Sequence, residues 1–199
     1  MNDPGPSLEI TLDIAVESDR WDCFPEAGAL AETAIVAALR HADAEFLPGA
    51  EVSLLLCDDA FIRDLNARWR GQDKPTNVLS FPAAEDPATT PILGDIAIAF
   101  ETMAREAVEE GKSLRAHFIH LVVHGVLHLV GYDHQNDAEA EIMECLERES
   151  LATLGIDDPY RVVSDHDDSE IDSQDSEPDT DGKPVSTLPH RARDIAGCP

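Results

Sequence analysis

Within the stretch HGVLHLVGYDH, His124 and His128 are four residues apart and His134 follows six residues later. On a helix, that first spacing is about one turn, roughly 6 Å along the axis on the same face, so both imidazoles reach a single ion. Gly131 comes three residues after His128. It is able to take the left-handed conformation that ends a helix, which lets the chain turn back and bring His134 to the same point. Three neutral imidazoles suit one zinc ion at about 2.0–2.1 Å, and a site with three protein ligands keeps a further position open for water or substrate. The pattern predicts a metal centre built for chemistry rather than a structural clip.

The spacing, with ligands at relative positions 0, 4 and 10 and glycine at 7, is also that of the long zinc-protease motif H-E-x-x-H-x-x-G-x-x-H. The likeness stops at Gly125, which stands where a protease carries its glutamate general base. Peptide hydrolysis is disfavoured on that ground. His120 lies one turn before His124, and His117 three residues further back. The pair forms a row toward the metal, as packing histidines or as groups behind the ligands. Asp95 at a strand start and Asp133 beside a ligand are candidates for orienting groups or turn residues.

A second chemical feature is basic. Arg63, Arg68, Arg70 and Lys74 fall within 12 positions and precede a Lys-Pro-Thr-Asn turn, making a local anion site on an acidic body. Arg70 is the member best suited to phosphate, because a guanidinium holds two oxygens in a fixed fork whereas Lys74 offers a mobile point charge. The plainer reading is a solvated helix end that complements its dipole. The formal charge of −27 argues against indiscriminate binding of nucleic acid, so any RNA site must be local.

The elements that must position these groups follow from patterning. The chain has 199 residues, 43% of them hydrophobic, enough for one domain with a sizeable core. Leu8 to Val16 alternates apolar and polar residues as a strand does, and an Ala-rich helix follows from Ala27 to about Ala44. Val52 to Cys57 is a buried strand; Asp58-Asp59 then caps a helix carrying Phe61, Leu65 and Trp69 as an apolar stripe. Short strands around Asn77–Phe81 and Asp95–Ala99 flank a proline-rich loop, and a helix from Glu101 ends at Gly111. Ser113 caps the histidine helix, apolar nearly all round and therefore central to the fold. Asn136 or Asp137 opens a last helix with Ile142, Met143, Leu146 and Leu154 inward, closed by Gly155.

From Ser164 onward the sequence is rich in Asp, Ser and Pro and too poor in large apolar residues to offset the entropy of ordering, so a disordered acidic tail is expected over residues 161–199. Residues 160–199 hold four of the 14 basic and ten of the 41 acidic residues; the acidity belongs mainly to the folded part. Cys23, Cys57, Cys145 and Cys198 form no C-x-x-C pair and read as reduced thiols. Neither a leader-like start nor a bilayer-spanning apolar run is present, which predicts a soluble cytoplasmic protein.

Taken together and in order, WRGQDKPTNVLSFP, LGDIAIA, HFIHLVVHGVLHLVGYDH and LGIDDPY resemble the YbeY family of bacterial ribosomal RNA maturation endoribonucleases, over residues 8 to 160. The resemblance implies an α/β (α+β) domain, residues 1–160, with a small mixed four-stranded sheet, about five helices and a zincin-like metal helix in the centre. It further implies one Zn2+ on His124, His128 and His134, with Arg70 beside the site as the catalytic residue. The implied activity is cleavage of single-stranded RNA in 16S rRNA 3′-end maturation and ribosome quality control. The implied partners are ribosomal RNA and the small ribosomal subunit or its assembly proteins, with no DNA and no membrane. The acidic tail has no counterpart in the family pattern. Residue chemistry alone supplies no obvious general base, which keeps open a non-catalytic, metal-stabilised ribosome-assembly factor and, further off, a metallopeptidase.

Overall fold

The structure, a computed structural model, describes residues 9–161. Along the chain run β1 (Ile10–Val16), α1 (Ala27–His41), β2 (Ala50–Cys57), α2 (Asp59–Arg70), β3 (Val78–Pro82), β4 (Ile92–Ala99), α3 (Phe100–Glu109), α4 (Leu114–Leu129) and α5 (Asp137–Thr153). The strands form one mixed sheet in the order β1-β2-β4-β3. β1, β2 and β4 are parallel, and β3 joins β4 antiparallel at the edge. Among the described residues this is the expected α/β class, a four-stranded mixed sheet with five α-helices.

Helix boundaries follow local chemistry. Asp58 caps α2 by accepting the Phe61 amide at 2.9 Å, Ser113 caps α4 through the Ala116 amide at 3.1 Å, and Asn136 caps α5 through the Glu139 amide at 3.0 Å. Each bond satisfies an amide that has no partner within its helix.

Strand alternation sorts the core into two layers. Leu54, Leu56, Ile96 and Ile98 face the main core with α1, α4 and α5. Leu79, Ala97 and Ala99 face the other way and meet Ile62 of α2. α4 runs through the main layer, with Phe118, Val122, Val123, Val126 and Leu127 fully buried. Each such side chain contributes about 1.5–3 kcal/mol of burial, so the direction of the histidines is fixed by packing.

Two expectations change. In α2 the buried residues are Ile62 and Asn66, while Phe61 and Trp69 of the stripe are exposed; Trp69 lies edge-on to Phe81 instead, ring centroids 6.0 Å apart. Ile142 is 55% exposed, so the inward face of α5 runs through Met143 and Leu151. Cys23 and Cys57 are free thiols. The acidic tail, from residue 162 on, lies outside the described residues. Among the described residues no helix is long and apolar enough to cross a membrane.

Candidate metal centre

α4 presents His124 and His128 on one face with their Nε2 atoms 3.1 Å apart. The helix then closes as its glycine predicts: Gly131 has φ of 96°, and the Tyr132 amide donates to the Leu127 carbonyl at 3.0 Å. The reversal returns the chain toward the helix. Asp133 shapes the loop, accepting from the His134 backbone amide at 2.8 Å and from Gln135 Nε2 at 2.6 Å. It is a turn residue. The His134 ring arrives 5.5 Å from that of His124 and 5.1 Å from that of His128, centroid to centroid. One ligand atom from each of the three lies within 4.8 Å of the others, and no second such cluster of His, Cys, Asp or Glu occurs among the described residues.

The donor set fits a divalent ion. His128 Nδ1 is 2.9 Å from the Tyr132 carbonyl, which only accepts, so Nδ1 donates and carries the proton. His124 Nδ1 is 2.7 Å from Glu147 Oε1 and is fixed in the same tautomer. In the neutral rings both Nε2 atoms then present lone pairs to each other, with no hydrogen to share. A cation between them resolves that opposition. Burial, aided by the charge of His124, holds His128 down to about 4, so it stays neutral, as a ligand must.

Glu147 is the residue that sequence reasoning missed. It is 1% exposed, and its second oxygen, Oε2, is 3.0 Å from His120 Nε2. Burial opposes its charge, but the hydrogen bonds from His120 and His124 outweigh that and hold it well below the usual carboxylate range. A sequence signal did exist: Met143, Glu147 and Leu151 share one buried face of α5 at i, i+4, i+8, and a carboxylate on such a stripe requires a partner. His120 thus stands behind a ligand. His117, 3% exposed, turns away, with Nε2 3.1 Å from Glu106; Glu106 also accepts from Asn77 at 2.8 Å. It ties α4 to α3 and to the entry of β3.

Gly125 packs directly on the sheet. A Cβ there would lie 3.1 Å from both Cδ1 and Cγ2 of Ile96 and 3.2 Å from Ser80 Oγ. The position at which a protease places its glutamate is here filled by the β4 and β3 surface.

Arg70 is carried by a different element from the histidines. It is the last residue of α2, the helix on the opposite sheet face from α4, and its exposed side chain makes no ion pair among the described residues. Its neighbours are engaged: Arg63 forms a two-pronged bond with Asp73 at 2.7 and 3.0 Å, and Arg68 lies over Trp69. Asp95 pairs across the sheet with Ser53 and Phe81 and lines an open groove of about 670 Å³ together with Leu65 and Trp69 of α2.

Comparison with known proteins gives the chain's family and fold. The sequence profile of the family described as Endoribonuclease YbeY matches residues 17–155. A protein of Methylocella silvestris named Endoribonuclease YbeY is 57% identical over 154 residues, 77% of this chain and 88% of the relative. One from Beijerinckia indica with the same name is 59% identical over 156 residues, 75% of this chain and 76% of the relative. A solution structure of a Thermotoga maritima protein, 23% identical, superposes with a TM-score of 0.50, covering 81% of this chain and all of that one, and supports the fold.

Proposed function

The chain belongs to the YbeY endoribonuclease family, and from that premise we propose that it cleaves single-stranded RNA at a zinc ion held by His124, His128 and His134. The substrate in the cell is the 3′ end of 16S ribosomal RNA, during small-subunit maturation and ribosome quality control in the cytoplasm. The observation that carries the reading is the pair of Nε2 lone pairs, 3.1 Å apart, whose rings are locked by acceptors on their far sides. When bound, the ion supplies Lewis acidity to a phosphodiester oxygen and lowers the pKa of water.

The remaining roles belong to the chain. Arg70, with no ion pair among the described residues, offers its planar fork to a phosphate of the same strand and offsets the charge that grows there during cleavage. β3 is the edge strand that meets the exit of α2 through Phe81 and Trp69 and the packing face of α4 through Ser80 and Gly125, so a strand of RNA following that edge engages both elements. Glu147 is unsuited to be the general base, since both its oxygens are held by histidines. Because the body is acidic, binding relies on these few cations and weakens with salt.

Cleavage of a single-stranded RNA by the metal-loaded protein, beside His124→Ala and Arg70→Ala, tests the reading. The parent cuts and both variants lose activity; equal cutting by all three would implicate a contaminating nuclease. Metal-loaded protein that never cuts RNA would favour a metal-stabilised ribosome-assembly factor. Mapping the new RNA ends identifies the attacking group, a 2′,3′-cyclic phosphate marking the RNA's own 2′-hydroxyl.

A further inference from the structure

The interior of α5 holds a charged residue that the proposed reaction does not consume. Glu147 is buried to 1% exposure at the point where α5 crosses α4. One oxygen accepts from His124 Nδ1 at 2.7 Å, the other from His120 Nε2 at 3.0 Å. A buried carboxylate is costly unless its oxygens are satisfied by strong donors. A fold that needed only to join two helices would do so more cheaply with apolar contacts. The feature that requires explanation is why a charge stands behind one particular ring nitrogen.

We propose that Glu147 is a positioning residue for the metal centre: it fixes His124 with its proton on Nδ1 and its Nε2 lone pair toward the ion, while His120 anchors the carboxylate's other oxygen. The assignment rests on the metal reading of the three histidines.

The geometry separates this role from helix packing. A neutral imidazole with no partner on Nδ1 interconverts between tautomers, and only one of them offers Nε2 to the metal. His128 receives its constraint from its own helix exit, through the Tyr132 carbonyl. That source is unavailable to His124, whose neighbours four residues along remain in the helix. Its constraint must come from another element, and α5 provides it. The anionic acceptor also raises the electron density on the ring and strengthens the donor nitrogen toward the ion. His120 adds the second bond that stops the carboxylate from rotating away. The centre is therefore assembled from α4, its exit turn and the interior of α5.

The test compares the full chain with Glu147→Gln and Glu147→Asp by two readouts, neither of them RNA cleavage. The first is the 15N NMR signature of the His124 ring in metal-free protein. The parent holds the proton on Nδ1; in Glu147→Gln, whose amide cannot accept from both histidines equally well, His124 becomes a tautomer mixture. The second is zinc affinity by competition with a chromophoric chelator. The parent binds one ion; Glu147→Gln binds about 10- to 100-fold more weakly; Glu147→Asp, which keeps the charge but draws it back by one methylene, falls between. Parent-like tautomer and affinity in Glu147→Gln would overturn the assignment. Parent-like behaviour in Glu147→Asp beside a Glu147→Gln variant that does not fold would do the same, because it would reduce Glu147 to a structural charge. A parent that binds no zinc yet holds His124 in one tautomer would instead sink the metal reading.

Discussion

Gly125 lies against Ile96 so closely that a Cβ on the glycine would stand 3.1 Å from two of the isoleucine's side-chain carbons. That contact explains why a histidine arrangement with protease spacing lacks the protease glutamate. The face of α4 between the two ligand positions is the face by which the helix sits on the sheet. Grafting the missing acid back should therefore not create a peptidase. Gly125→Glu should destabilise the fold by about 1–3 kcal/mol through overpacking, read as a lower denaturant midpoint, with no peptide turnover gained. A stable Gly125→Glu protein would contradict the packing argument.

Arg70 separates function from stability. Its side chain is exposed and forms no ion pair among the described residues, so Arg70→Ala should change unfolding free energy by no more than about 0.5 kcal/mol. RNA cleavage should fall by about 10²-fold. Arg70→Lys should not recover the loss, because an ammonium cannot grip two phosphate oxygens at once. Full activity in Arg70→Ala would remove the residue from the proposed chemistry.

Acid sensitivity should trace in part to His117. Burial lowers its pKa from the ordinary 6.5, against the opposing hydrogen bond to Glu106, so folding favours the neutral ring. The unfolded chain takes up a proton at that position as pH falls through 6.5. Its contribution to stability is complete above that value and is lost as pH falls toward the folded value. Denaturant melts from about pH 7.5 to about pH 5 should show a shallower decline for His117→Gln than for the parent. Identical slopes would show that other groups govern the acid limb.

The candidate site was legible where its causes are local. His124, His128, Gly131 and His134 are placed by helix pitch and one glycine, all within 11 residues of sequence. Glu147 was not found, because its reason for being buried lies on a different helix; only its place on the Met143–Leu151 face betrayed it. Strand positions followed from patterning, yet the order β1-β2-β4-β3 depends on pairings between distant segments that no local period encodes. The stripe Phe61, Leu65, Trp69 is a case of the opposite error. α2 covers only the small cluster around Ile62, so the wider apolar stripe has no second layer to enter and Trp69 is left 63% exposed. Arg70 was singled out by composition and chemistry, and its place in the reaction is a matter for the variant above.

The most direct measurement is RNA cleavage followed through removal and return of metal on the same protein sample. Stripping with a chelator should abolish cutting of single-stranded RNA, and zinc added back should restore it in proportion to the metal bound, saturating at one equivalent per chain. His124→Ala should neither retain the ion nor regain activity. Cleavage that persists in the stripped protein, or in His124→Ala, would contradict a reaction centred on His124, His128 and His134.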